Sequence, residues 1–143
     1  MRSRIPKEQI DLLRTVPLFS SCTQHELRAI AQLGTPVEAE EGALLTEAGH
    51  PGREFFLVLE GEASCRVRNK EVRRFLPGNY FGELALLHGG KRTADVVAIT
   101  PMELLVLDAR EFRSMLTTTP SISEKMLAHL AERVMEADAQ HTD

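Results

Sequence analysis

The chain is 143 residues long, 43% hydrophobic, 27% charged and 5% aromatic, with no tryptophan, two cysteines and a formal net charge of −4. That length suits one domain of roughly 100 to 150 residues burying about 70% of its unfolded surface, which excludes a disordered tail and a disulfide-dense miniprotein. The acidic balance argues against non-specific nucleic-acid binding, and the longest apolar run, residues 55–59, is far short of the ~20 that a membrane helix needs.

Met1-Arg2-Ser3-Arg4 is basic but no apolar stretch follows it, so no signal peptide is expected and the expected location is cytoplasmic. Cys22 and Cys65 stand far apart and outside any CxxC, which fits reduced thiols. His25, His50, His88, His129 and His141 show neither HxH nor HExxH spacing, so no metal site is expected.

Ile10, Leu12 and Leu13 mark a short first helix that Pro6 can open and that Val16-Pro17-Leu18-Phe19 breaks. Thr23-Gln24-His25-Glu26 has capping-box spacing, so a second helix is expected, with Leu27, Ile30, Ala31 and Leu33 on its apolar face and Gly34 at its stop. From Thr35 to Leu107 the pattern changes to short segments punctuated by glycine and proline. Residues 55–59 read as a buried strand. After Gly61, an inward set of Ala63, Cys65 and Val67 alternates with Glu62, Ser64, Arg66 and Arg68, the period of a half-buried strand. Residues 96–99 and 102–107 are expected to pair around a Thr100-Pro101 turn. Many short strands between regular turn signals indicate a sandwich, jelly roll or small barrel. Asp108 then caps a short helix through Met115, and Thr119-Pro120 starts a longer one with the stripe Ile122, Met126, Leu130, Arg133, Ala137. One arginine thus lies on an otherwise apolar face.

Residues 81–98 carry the chemistry. Gly82 allows the backbone to approach a ligand closely, and residues 83–87 can form one helical turn whose first amides are unpaired. An anion there gains from aligned N–H groups and the positive end of the helix dipole. Arg92 lies across a glycine-containing turn and can return a planar guanidinium to the same anion, and Thr93 adds a hydroxyl. Glu83 discriminates among ligands, because a carboxylate beside a phosphate repels it unless the acid accepts a hydrogen bond from something specific. A ribose 2′-hydroxyl is a suitable donor, and the set describes a compact ribose phosphodiester.

These residues resemble the phosphate-binding cassette of the cyclic nucleotide-binding domains, F-G-E-[LI]-A-L, a short spacer, then R-[ST]-A-x-V-x-A. Residues 41–52 and 55–61 resemble the strand-and-glycine framework of the same family. The resemblance implies an α+β, mainly β fold, an eight-stranded jelly-roll β-barrel flanked by N-terminal and C-terminal helices. It implies a helical segment over 1–34, the jelly roll over 35–107 with the cassette at 81–98, and hinge and lid helices over 108–143, all in one domain. Glu83 would hold the ribose 2′-hydroxyl and Arg92 the exocyclic phosphate oxygens. Gly82, the amides of Leu84 and Ala85 and the Thr93 side chain would complete the phosphate shell, with Cys65 and Val72 along the base. Channel-type members carry an arginine on the closing helix that covers the purine, and its spacing would make Arg133 that lid. The alternative for Arg133 is a snorkelling side chain or a surface ion pair.

The function so implied is a non-enzymatic sensor of cAMP, and through Thr93 also of cGMP, with no cofactor beyond that ligand. It would act on an effector protein, through a homo-oligomer, or as part of a longer polypeptide. One alternative is a ligand-free interaction subunit. Another is a fragment of a cAMP-responsive transcription regulator, although the stretch after Pro120 is too short and too acidic to supply a helix-turn-helix, so no nucleic-acid contact by this chain is expected. A cupin-like metalloenzyme shares the architecture but needs clustered histidines.

Overall fold

The computed structural model describes residues 7–141, and their side chains as far as Asp138. Pro6, the expected helix opener, and the basic segment before it lie outside the described residues. The strands form two four-stranded sheets. The first runs β1 (Thr35–Ala39), β8 (Met102–Asp108), β3 (Glu54–Glu60), β6 (Tyr80–Phe81). The second runs β2 (Leu44–Thr46), β7 (Asp95–Ala98), β4 (Ala63–Val67), β5 (Lys70–Phe75). The architecture is the expected mainly-β jelly roll, but its two sheets face one another rather than closing into a barrel.

The unbroken apolar run of β3 has a physical reason in this layering. Phe55, Leu57 and Leu59 point to a core shared with the helices, while Phe56 and Val58 point to the core between the sheets. A strand buried on both faces cannot alternate apolar with polar. β8 repeats the arrangement, with Leu105 and Leu107 toward the helices and Met102, Leu104 and Val106 between the sheets. Each such side chain contributes about 1.5–3 kcal/mol on burial.

The helices cover the first sheet: α1 (Lys7–Arg14), a 3₁₀ turn at Pro17–Phe19, α2 (Gln24–Leu33), α4 (Ala109–Thr118) and α5 (Pro120–His141). The expected capping box of Thr23 with Glu26 forms, and Asp108, expected as a cap, makes a full box with Glu111. α4 continues three residues past Met115, to Thr118. Gly34 ends α2, but at φ −81° rather than in the left-handed region. Its requirement is space, since a Cβ there would lie 2.8 Å from Leu105 Cγ.

Two expectations about the strands are corrected. β7 and β8 do not pair across Thr100-Pro101; they belong to opposite sheets, and the turn is the corner where the chain crosses between them. Glu62 holds this corner, its amide donating to Thr100 Oγ1 at 3.0 Å and its carbonyl accepting from the Ile99 amide at 2.9 Å. Val67 is not inward but 39% exposed, at the end of the β4–β5 hairpin, where Arg68 and Asn69 both have positive φ as in a type I′ turn. Ser64 keeps its alternation with Ala63 and Cys65 yet is buried, because Arg66 folds over it with Nε 3.1 Å from Oγ.

Candidate functional site

The site begins where β6 ends. Phe81 is pinned between Phe56 and Phe75, with ring centroids 4.7 and 4.8 Å away. The chain then turns at Gly82, whose φ is +95° and whose added Cβ would lie 2.6 Å from the Glu54 carbonyl oxygen. Glycine is required there on both counts. α3 (Glu83–His88) follows at once, and its first-turn amides have no acceptor within the helix.

Arg92 meets this turn from the far side of residues 89–91. Its own backbone is fixed in both directions, the amide donating to the His50 carbonyl at 2.8 Å and the carbonyl accepting from the Gly49 amide at 2.9 Å. From that anchor Nη1 donates to the Gly82 carbonyl at 3.0 Å and Nη2 to the Glu54 carbonyl at 2.6 Å. Partial burial pulls the guanidinium below its ordinary pKa, opposed by Glu54 and Glu83; it is still charged at neutral pH. Gly52 makes room for it, since a Cβ there would lie 2.3 Å from Ala85 Cβ and 2.8 Å from Arg92 Nε. A fixed cation thus stands beside a row of helix-start amides, an arrangement that receives one compact anion.

Glu83 lies on the same turn and is 4% exposed. Burial pushes its carboxyl above the ordinary range, against the opposing pull of its own backbone amide and then of Arg133, His129 and Arg73. Arg133 Nη1 is 3.5 Å from Glu83 Oε1. One helical turn earlier, His129 Nδ1 lies 2.8 Å from Tyr80 Oη. Burial, and then the charge of Glu83, push the Tyr80 phenol up to about 12.

These groups border one cavity of about 730 Å³ between α3, the β4–β5 hairpin and α5, within the size range of small-molecule sites. Every residue singled out from the sequence lines it, from the cassette to Cys65, Val72 and Arg133. Cys65 is a half-buried free thiol raised by burial, with Arg73 and Arg133 opposing. Val72 stands at the rim, 61% exposed, because β5 bulges there: Cys65 pairs Arg73 while Arg66 pairs Glu71. The bulge lets Val72 and Arg73 both reach the cavity. Arg133 is an ion-pair residue, but its partner is buried in the cavity rather than on the surface.

Sequence reasoning missed Tyr80, His129 and Arg73. His129 was legible, lying four residues before Arg133 on one helix face. Arg73 was not, because its place opposite Cys65 depends on the bulge. Among the described residues no three His, Cys, Asp or Glu side chains gather as a metal site, and no helix is long and apolar enough to cross a membrane.

The model of the family described as cyclic nucleotide-binding domain matches residues 36–119. The chain belongs to that family. A cAMP-dependent protein kinase regulatory subunit of Colletotrichum orbiculare is 32% identical over 117 residues, 80% of this chain and 30% of that relative. The chain therefore spans about three tenths of that relative's length. Among solved structures, PfPKA-R with cAMP bound superposes with a TM-score of 0.83 at 25% identity, covering 96% of this chain and 48% of that one. The Thermus thermophilus catabolite activator protein gives 0.81 at 27% identity, over 87% and 61%.

Proposed function

We propose that this chain is a regulatory sensor of 3′,5′-cyclic purine nucleotides, taking cAMP in preference to cGMP and working in the cytoplasm. The observation that carries the reading is the meeting of Arg92 and Glu83 at one helix start, the cation tied to the Gly82 carbonyl and the acid one residue further on. Arg92, the amides of Leu84 and Ala85, and Thr93 would hold the cyclic phosphate. Glu83 would accept the ribose 2′-hydroxyl. The base would lie along Cys65 and Val72 on the hairpin, with α5 closing over it. Segments 1–34 and 108–143 would act as the moving helical parts around the jelly roll.

The family and the relative's description as a regulatory subunit support a regulatory rather than catalytic role. A cradle of fixed donors neutralises an anion that leaves chemically unchanged, and its work is differential affinity for two arrangements of the helices. The output would pass to an effector protein, to a second copy, or to another part of a longer polypeptide. One observation favours a second reading, a ligand-free interaction subunit: Arg92 and Glu83 already have partners within the chain.

Calorimetric titration of the purified chain with cAMP and with cGMP, with oligomeric state followed in parallel, tests the proposal. Saturable one-to-one binding that is tighter for cAMP supports it. Absence of heat and of any melting shift with either nucleotide removes it in favour of the ligand-free reading.

A further inference from the structure

Another cavity, of about 540 Å³, shares Tyr80 and His129 as a wall with the one described above. The 3₁₀ turn at Pro17–Phe19, the stretch from β5 into β6 and one face of α5 border it. These walls are fixed by contacts that belong to the fold. Leu18 and Phe19 of the 3₁₀ turn are buried, and α5 is held at this level by Ile122 and Met126. The turn after β5 is tied to β3, the Gly78 amide donating to the Val58 carbonyl at 2.8 Å and the Val58 amide to the Asn79 carbonyl at 2.9 Å. The Leu76 amide closes its tip by donating to Asn79 Oδ1 at 2.8 Å. Walls that are already ordered cost a ligand little conformational entropy on binding.

The charges along this cavity run against the balance of the chain. Lys125 and Glu132 share one face of α5, two helical turns apart, and Arg73 reaches the cavity from β5. Neither Arg73 nor Lys125 makes a hydrogen bond or an ion pair among the described residues. The neighbouring Arg74 is committed, its guanidinium lying 3.1 Å from Glu71 and 3.7 Å from Glu62. Two uncommitted cations against the acid Glu132 leave a local surplus of positive charge in a chain whose net charge is −4. Arg73 also lines the first cavity, but Arg92 already supplies a cation for the single phosphate charge there. The lining is otherwise largely apolar, with Leu18, Phe75, Ala128 and the Tyr80 ring.

We propose that this cavity is a separate ligand site that takes a small organic carboxylate. Arg73 and Lys125 hold the head, and a ring or short chain lies against Leu18, Phe75 and Ala128. A planar guanidinium matches a carboxylate with two parallel hydrogen bonds. A phosphate monoester would bring nearly two negative charges at neutral pH, and Glu132 opposes the second. The volume falls in the range of sites for whole small molecules. A bare ion would use the two cations and leave the apolar lining in water. The inference goes beyond the receptor reading, since it uses neither Arg92 nor Glu83.

The test is an amide chemical-shift titration of the full chain at pH 7 with naphthoate, octanoate, acetate and the neutral naphthylmethanol, in the absence of nucleotide. Naphthoate or octanoate is expected to give saturable shifts centred on residues 17–19, 73–80 and 125–132, with a dissociation constant of about 1 mM or below. The better of the two identifies the body as ring or chain. Acetate and naphthylmethanol should each bind at least about tenfold more weakly, one lacking the body and the other the charge. Lys125→Glu and Arg73→Gln should each weaken the carboxylate about tenfold, and Glu132→Gln should tighten it about threefold. Ala128→Phe, at an exposed helix position where nothing in the core is disturbed, should block the body, and melting curves check that each variant is folded. No saturable shift with either carboxylate overturns the proposal. Shifts centred on residues 82–93, or binding that disappears in Arg92→Ala, place the carboxylate in the first cavity and overturn it too. Equal affinity for naphthylmethanol, or folded Lys125→Glu and Arg73→Gln proteins that both bind as the wild type does, removes the two cations from the site. Because no nucleotide is present, this result and that of the cAMP titration are read independently.

Discussion

Arg92→Ala separates what this side chain does for the fold from what it would do for a ligand. In the free protein its guanidinium ties the turn before α3 to the start of β3, through the Gly82 and Glu54 carbonyls at 3.0 and 2.6 Å. Hydrogen bonds from a charged group are worth about 1.5–3 kcal/mol each. The guanidinium is only half-buried, so solvent screening reduces each to about 1 kcal/mol and the pair to ~2 kcal/mol of folding stability. That is a minor part of a stability of about 5–15 kcal/mol, and the variant stays folded. Its effect on binding is larger. An enclosed phosphate without its cation costs about 2–5 kcal/mol, which weakens the nucleotide complex roughly 30- to 4,000-fold. Urea denaturation reads the first quantity and calorimetry with cAMP the second. Arg92→Lys should fall between, since an ammonium retains the charge but cannot serve both carbonyls and the phosphate in one plane. A folded Arg92→Ala protein that bound cAMP as tightly as the wild type would refute the site assignment.

Further outcomes follow from individual contacts. Gly52→Ala should weaken cAMP at least tenfold and lower stability by about 1–3 kcal/mol, because the new Cβ would meet Ala85 and Arg92 at 2.3 and 2.8 Å; calorimetry and melting read the two effects. Glu83→Gln should stabilise the ligand-free chain while weakening nucleotide binding. The folded chain holds the Glu83 proton more tightly than the unfolded one, so stability is lost as pH rises through the raised folded pKa and the penalty is full above it. Removing that charge should raise the neutral-pH melting temperature, with the gain vanishing below the usual carboxylate range; no gain at neutral pH would contradict the burial argument. Asp108→Ala removes the acceptor of the Glu111 amide at 2.8 Å and should cost about 1 kcal/mol by denaturant titration.

Much of the architecture was legible because it is written in short-range chemistry. The capping box at Thr23, the cap at Asp108, the run at residues 55–59 and the glycine-punctuated strands each depend on neighbours within a few positions. The corner at Thr100-Pro101 was not legible as a corner, since a turn between two strands reads the same whether they pair or part, and only Glu62, in the connection between β3 and β4, decides it. Gly34 was legible as a helix end for the wrong reason, its constraint coming from Leu105 on β8.

The candidate site divides along the same line. Residues 81–93 determined by themselves that a glycine turn, an acid, a helix start and an arginine would stand together, because the backbone alone brings them into one loop. Which groups surround that acid was a matter for tertiary structure. Arg73 reaches the cavity through a bulge, Tyr80 meets His129 across 49 positions of sequence, and Arg133 finds Glu83 from the far end of the chain. The electrostatic state of a buried carboxylate is set by the nearest charges in space, and spacing along a chain carries no record of those once the intervening segments fold through two sheets.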